Sequence, residues 1–408
     1  MAVSEAFDVY AQDKRSSTTK RTGEIIALQQ LLGKRGLTQL CVGPMSKNCV
    51  DAVINLANRH NTLMTLIASR RQIDSGEFGG GYVNNWTTTE FCKYVTARSN
   101  GKILLARDHG GPWQSNLECS KNLAVEEAMA SAKSSFMADI DSGMHMLHID
   151  PSIDIHQRPS IDVILDRAFE LYEFCWDYAQ LQGKEVGFEI GTEEQCAFAN
   201  SIDDLDYMLS QISFFCVKNR LPKPTFVVVQ TGTRVMEMQN VGTFEACSRS
   251  ADEARNSMKI NSLLKLCRKH RIFLKQHNTD FLSDRSLKRH PSLGIHAANV
   301  APEFGIAETR ALLSLMEHQK LVRVSEKFLE IAYESFRWEK WMLPDSKSND
   351  RDRAIIAGHY VFSKPEVKQL KAELASSLKP RIQLDSFLTK QVEKSISRYC
   401  RAFGLHKT

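Results

Sequence analysis

The chain has 408 residues, of which 42% are hydrophobic and 25% charged, which is the composition of a globular protein and not of a disordered one. Its net charge of +5 is spread over 53 basic and 48 acidic residues, without the single-sign block that marks a nucleic-acid arm. No apolar run approaches the ~18 residues that cross a bilayer, and residues 1–22 lack the apolar segment of a signal peptide. We therefore expect a cytoplasmic protein that binds neither nucleic acid nor membrane.

The ten cysteines are scattered along the chain, and no two of them form a Cys-x-x-Cys pair. This spacing favours buried thiols in a reducing compartment over a zinc ribbon or a disulfide framework. It is a second reason to expect the cytoplasm.

Short apolar runs rich in β-branched residues alternate with longer amphipathic segments, which is the pattern of repeated βα units and a parallel sheet. The eight predicted strands are Leu37–Val42, Leu63–Ala68, Ile103–Asp108, Met144–Asp150, Glu185–Ile190, Thr225–Gln230, Ile272–Gln276 and Leu293–Val300. The predicted helices between and after them are Lys47–Arg59, Thr87–Arg98, Ala124–Ser142, Ser160–Gln182, Asp203–Asn219, Ala251–His270, the short Leu282–Arg289, and Ile306–Lys320. No Gly-rich phosphate fingerprint of an open sheet is present, so we predict an α/β fold, a closed (β/α)8 TIM barrel.

The pattern after the eighth strand is helical only, with predicted helices Ser325–Trp338, Pro365–Leu378 and Leu384–Phe403. The polar stretch Pro344–Arg353 separates the first two of them. We therefore divide the chain into a polar segment and helix (1–36), the barrel (37–322) and a C-terminal helical extension (323–408), which packs on the barrel or is shared with a partner subunit.

Polar residues follow the predicted strands at the point where each ends, and the carboxyl ends of barrel strands meet at one mouth. They are Ser69, Arg70, Asp108, His109, Asp150, Glu189, Glu193, Glu194, Gln230, His277, Asp280 and Asn299. Because isolated buried charges are costly, a shared polar mouth explains them together. For Asp150 and Asp280 the alternative is a helix cap, which satisfies backbone N–H groups at a helix start.

Two histidines and a carboxylate from three strand ends are suitable ligands for a divalent metal, with open positions left for substrate oxygens. His109 and His277 are the histidines in question. The alternative for each is an ordinary surface or hydrogen-bonded core histidine.

Six segments occur in an order that carries a family resemblance: Phe78–Tyr82, Arg107–Gln114, Leu147–Ser152, Glu189–Glu193, Val228–Gly232 and Gln276–Asp280. Over about Gly43 to Ala372, the chain resembles the family of the non-catalytic subunit of class II tagatose-bisphosphate aldolase, which includes tagatose-6-phosphate kinase-like and epimerase-like TIM barrels. The family is related to the zinc-dependent class II aldolases, and some of its relatives resemble ketose-phosphate or uronate epimerases.

The resemblance implies roles for Asp108, His109, Glu189 and His277, and the other site residues are assigned from their place at the barrel mouth. Asp108 stands where the aldolases place their proton-transferring aspartate. The catalytic residues are then predicted to be Asp108, Glu193 and Asp150, and the metal ligands His109, Glu189 and His277. The residues predicted to bind substrate are Ser69, Arg70, Arg71, Gln72, Gln230, Asn278, Asp280 and Asn299. The expected cofactor is a divalent metal, zinc first, with manganese or magnesium as alternatives.

The chain departs from this pattern at two places. The aldolases have a further metal histidine where this chain has Gln230 and Thr231, so the metal is either bound more weakly or completed by Gln230 or Glu193. The family's Ser-Asn-Gln-like triplet is replaced by Ser69–Gln72, which adds two arginines. Arg70 or Arg71 is expected to grip an anionic substrate group, the alternative being a solvated basic turn.

Two functions follow from the resemblance. The first is a metal-dependent enzyme that acts on a ketose, ketose phosphate or uronate by retro-aldol/aldol or enediolate chemistry, as an epimerase or aldolase. The alternative is a non-catalytic subunit that stabilises and activates a class II aldolase. The expected partners are a small sugar or sugar-phosphate substrate and either a class II aldolase or further copies of this chain.

Overall fold

The computed structural model describes residues 23–34, 36–191, 202–246 and 250–405. Eight parallel strands close into a barrel in chain order, which confirms the predicted fold class. They are β1 Gln39–Val42, β2 Met64–Ser69, β3 Ile103–Gly110, β4 Met146–Ile149, β5 Gly187–Gly191, β6 Phe226–Val229, β9 Phe273–Gln276 and β10 Ala297–Val300. Two further strands, β7 Val235–Met236 and β8 Gln239–Asn240, form a small antiparallel hairpin after β6. The barrel closes where Gln39 pairs with Ala297.

The helices between the strands agree with the predicted pattern. They are α1 Gly23–Leu32, α2 Lys47–His60, α3 Thr88–Thr96, α4 Asn116–Ser120, α5 Val125–Ser142, α6 Ile161–Leu181, α7 Ile202–Lys218, α8 Thr243–Ala246, α9 Ser250–His270, α10 Asp284–Leu293 and α11 Pro302–His318. Several begin at a side-chain cap: the hydroxyls of Ser46, Thr87, Ser160 and Ser283 accept the backbone N–H three residues later. Within the described ranges, no helix is both long and apolar enough to cross a bilayer.

The amino-terminal end of the barrel is closed by apolar side chains. Leu28 and Leu32 of α1 pack with Leu104, Met146 and Phe226, which come from β3, β4 and β6. Because this end is filled and apolar, polar chemistry is confined to the carboxyl ends of the strands, where a barrel carries its site.

The C-terminal region contains α12 Val322–Tyr333, α13 Asp350–Ala357, α14 Pro365–Ser377 and α15 Leu384–Ala402. The first three share a separate core with α11, in which Leu312, Phe328 and Val367 are buried. Helix α13 begins within the stretch that was expected to be a polar connector. It is short and largely polar, so its apolar periodicity was too weak to predict.

The last helix returns to the barrel. Val392 and Ile396 of α15 belong to the barrel core. Glu393 accepts a hydrogen bond of 2.8 Å from Asn55 and pairs with Arg59 at 3.0 Å, both on α2. The region predicted as one extension therefore consists of a separate helical cluster and a final helix that completes the outer ring.

Candidate active site

A local irregularity at the end of β3 presents two adjacent side chains to the barrel mouth. The register of β3 against β4 shifts between Arg107 and Gly110, and His109 has a φ of 46°, in the left-handed region. Neighbours on a regular strand point to opposite faces, whereas here Oδ2 of Asp108 lies 3.9 Å from Nε2 of His109. Gly110 follows because a Cβ there would lie 2.4 Å from the ring of Phe136.

His109 meets the second predicted metal histidine. Its Nε2 lies 3.2 Å from Nε2 of His277, which directly follows β9. Its Nδ1 lies 2.7 Å from Oδ2 of Asp150, whose other oxygen accepts hydrogen bonds from Ser152. When Nδ1–H donates to Asp150, the lone pair on Nε2 faces His277, which is the arrangement that a carboxylate imposes on a metal-binding imidazole. The buried Asp150 therefore orients His109.

Asp108 lies among imidazoles. Its Oδ1 is 3.6 Å from Nδ1 of His148 and 3.5 Å from Nδ2 of Asn299. Burial raises the pKa of Asp108, but the nearby His109, His148 and His277 outweigh this effect and hold the pKa below its ordinary value. Asp108 is therefore held as a carboxylate beside these histidines.

Glu189 has a different environment, deeper in the barrel. Its Oε2 accepts a hydrogen bond of 2.6 Å from Nζ of Lys275, and the two side chains are 1% and 0% exposed. Burial lowers the pKa of Lys275, but Cys41, Glu189 and Asp108 hold it above its ordinary value. Lys275 is therefore charged, and it already neutralises the carboxylate that the resemblance assigns to a metal.

The two imidazoles fit one divalent cation. Tetrahedral zinc with Zn–N distances of ~2.0–2.1 Å places two ligand nitrogens ~3.3 Å apart, close to the 3.2 Å between His109 and His277. Among the described residues, no group of three or more His, Cys, Asp or Glu side chains is arranged to hold a metal. Glu193 lies outside the described residues. The described part of the chain thus brings two imidazole nitrogens together with the Asp108 carboxylate beside them.

The two arginines after β2 differ from each other. The guanidinium of Arg70 is buried, with Nε 3.0 Å from Asp74 and Nη1 2.5 Å from Glu118. Arg70 therefore links the segment after β2 to the segment after β3, whereas it was expected to bind an anionic group of the substrate. Arg71 is partly exposed and its buried Nε has no hydrogen-bond partner in the structure. Of the two, Arg71 keeps a guanidinium that can bind an anion.

Three more residues were predicted to bind substrate, namely Gln72, Gln230 and Asn278. Gln72 is buried and its Oε1 accepts a 2.9 Å hydrogen bond from the backbone N–H of Ser69, so it shapes the turn after β2. Gln230 is exposed at the end of β6. Asn278 has a φ of 56°, and its carbonyl accepts a 2.9 Å hydrogen bond from Asn240.

Asp280 has the contacts of a helix cap, the alternative raised by its sequence. Its Oδ1 accepts the backbone N–H groups of Ala301 and Glu303, each at 2.9 Å, at the start of α11. Burial raises the pKa of Asp280 to about 7, although these N–H groups act in the opposite direction. This carboxylate joins the β9 loop to the β10 loop.

Sequence reasoning gave no role to His148 or Lys275. His148 is fully buried, and its Nδ1 accepts a 3.3 Å hydrogen bond from the backbone N–H of His109, so it supports the irregular end of β3. Both residues lie two positions before a predicted site residue, Asp150 and His277. Because side chains alternate along a strand, that spacing places them on the inner face of the barrel and was the available signal.

Two solved structures show the same architecture. A probable tagatose 6 phosphate kinase from Sinorhizobium meliloti is 20% identical over 90% of this chain and 100% of that chain, with a TM-score of 0.71. A fructuronate-tagaturonate epimerase from Cohnella laeviribosi is 10% identical over 91% of this chain and 82% of that chain, with a TM-score of 0.54. No protein-family model and no curated protein matches the chain. The comparisons show that this chain shares the barrel fold of these two proteins.

Proposed function

We propose that this protein is a metal-dependent carbohydrate enzyme that acts on a ketose, ketose phosphate or uronate, as an epimerase or an aldolase. The main support is the meeting of Asp108, His109 and His277 at the barrel mouth. Two imidazole nitrogens lie 3.2 Å apart there, and a carboxylate oxygen lies 3.9 Å from one of them.

His109 and His277 are the residues that would hold a divalent cation, and their nitrogen donors favour zinc over magnesium. A cation bound there supplies Lewis-acid polarisation of a substrate carbonyl. Asp150 keeps the Nε2 lone pair of His109 directed into the mouth. Glu189 would act as a third metal ligand only if its ion pair with Lys275 were broken. Glu193 is the other carboxylate proposed as the third ligand.

Asp108 performs the proton transfer. It accepts the proton of a substrate hydroxyl near the carbonyl and later returns it, which requires hydrogen-bond reach of ~3 Å. Asn299 positions this carboxylate from the other side. If the fragments of a cleaved C–C bond rejoin after one has rotated, the product is an epimer. If the fragments leave, the reaction is aldol cleavage.

The test is an activity screen of the purified chain with zinc, manganese or magnesium against ketose phosphates, free ketoses and uronates. The same screen is repeated with a class II tagatose-bisphosphate aldolase present. We expect turnover of one substrate class by the chain alone, and loss of that turnover on chelation. Activity that appears only with the added aldolase would replace the proposal with the non-catalytic subunit.

A further inference from the structure

A second cavity of about 500 Å3 lies between the barrel and the C-terminal helices. Its walls come from the loop after β1, the loop after β2, helix α14 and the start of α15, and none of the residues assigned to the mouth lines it. Cavities of ~300–1,000 Å3 are the size that hold small molecules. This cavity therefore has room for a ligand of its own.

Two helices begin at the wall of this cavity. Helix α2 begins there after Ser46, and α15 begins there after Gln383, whose side chain makes no cap hydrogen bond. The starts of helices carry partial positive charge and unpaired N–H groups, which bind anions. Three lysines, Lys47, Lys368 and Lys371, also line the walls.

Carboxylates offset part of this charge, and Lys47 pairs with one of them, Asp51, at 2.7 Å. Asp385 is occupied by Lys371, at 3.1 Å. Glu308 is fully buried, and burial raises its pKa. Its oxygens accept hydrogen bonds from Ser46 and, at 2.7 Å, from Asn48.

A histidine lies at the buried end of the cavity. His359 lines the cavity and is 1% exposed, and neither of its ring nitrogens has a hydrogen-bond partner among the residues that the structure describes. Burying a polar group without a partner costs ~1–3 kcal/mol, so such a group indicates an absent partner. Burial lowers the pKa of His359 to about 3, and a neutral imidazole offers one donor and one acceptor.

The position of this ring is fixed by close packing. A Cβ at Gly305 would lie 2.6 Å from the ring, so only glycine lets α11 approach it. The rings of Tyr82 and Tyr360 lie against His359, with centroids 6.1 and 4.0 Å away. The imidazole is therefore held in place as a rigid donor and acceptor pair.

We propose that this cavity is a second ligand site, which binds a small phosphorylated polyol. The phosphate lies at the two helix starts beside Lys368 and Lys371, and the hydroxyls bind at the floor formed by His359 and Glu308. Hydroxyl groups suit this floor because they both donate and accept hydrogen bonds. The site is separate from the barrel mouth and does not depend on the activity proposed there.

The test is isothermal titration of the full chain with glycerol 3-phosphate, inorganic phosphate and glycerol as probes. We expect glycerol 3-phosphate to bind more tightly than either of the others. The double variant Lys368→Glu/Lys371→Glu should weaken that binding by at least tenfold, equivalent to ~1.4 kcal/mol. The matched control is Lys390→Glu, an exposed lysine of α15 outside the cavity, which should bind as the wild type does.

Two more variants assign the binding to this cavity. His359→Phe keeps a ring of similar size and should bind glycerol 3-phosphate no better than inorganic phosphate. Asp108→Asn, which alters the mouth, should leave the titration unchanged. Binding that survives reversal of the two lysines, or that is lost with Asp108→Asn, would overturn the proposal. These readouts involve no turnover, so their failure is distinct from failure of the proposed enzymatic activity.

Discussion

Two groups of ionisable side chains lie one layer apart inside the barrel, and they differ in their access to solvent. Lys275 and His277 are two residues apart, so their side chains face the same interior. In the deeper layer, Lys275 and Glu189 satisfy each other at 2.6 Å and are closed to solvent. At the mouth, His109 and His277 face each other beside the 13% exposed Asp108. The deeper pair is closed to solvent, whereas the group at the mouth is partly exposed.

The largest expected effect is on turnover at the mouth. Asp108→Asn should lower kcat by ~10²–10⁴-fold, because the amide cannot accept the substrate proton. The melting temperature and bound metal should change little. The control is Asp162→Asn on the exposed surface of α6, which should keep wild-type turnover. Unchanged kcat in Asp108→Asn would remove this residue from the mechanism.

The next largest effect is expected on the free energy of unfolding, at the buried pair of Lys275 and Glu189. Lys275→Met leaves the Glu189 carboxylate buried without its partner, and loss of one member of a buried pair costs ~3–5 kcal/mol. Urea unfolding measures the loss. The double variant Lys275→Met/Glu189→Gln removes the buried charge and should recover much of the stability. If the double variant is no more stable than Lys275→Met, the unpaired Glu189 carboxylate is not the cause of the lost stability.

A smaller effect, which depends on pH, is expected at Asp280, the cap at the edge of the mouth. Its folded-state pKa of about 7 lies above the ordinary value of 3.8, so ionisation opposes folding. The wild type should lose stability as pH rises from about 4 to about 7 and then level off. Asp280→Asn keeps the acceptor for the N–H groups and lacks the charge.

The variant should therefore be more stable than the wild type at pH 8, on the order of 2 kcal/mol, and nearly equal to it at pH 4. Urea unfolding at several pH values gives the comparison. A stability difference that stays constant across this range would contradict the assignment of a buried, destabilising charge.

The barrel could be predicted from the sequence because the strands are short apolar runs, most of them followed by a polar residue, and amphipathic helical segments lie between them. The same logic brought Asp108, His109 and His277 to one mouth. The shift of register at His109 could not be predicted, since it depends on how β3 pairs with β4. The partner of Glu189 could not be predicted either, since it comes from a strand 86 residues away.

The cavity between the barrel and the C-terminal helices could not be predicted either, because it also depends on contacts between distant segments of the chain. Glu308 and His359 lie in helical segments, so no strand end marks them, and they meet only because the C-terminal helices fold back against the barrel. A helical pattern predicts which face is apolar, but it does not show which helices meet. The packing of α15 on the barrel agrees with one of the two alternatives predicted for the C-terminal extension.

The most direct test of the account is the metal content of the mouth. The purified wild type, dialysed against zinc and analysed by atomic emission, should hold about one cation per chain. His109→Ala and His277→Ala should each lose it, while His318→Ala, at an exposed histidine of α11, should retain it. Full zinc content in both mouth variants would contradict the claim that these two imidazoles share a cation.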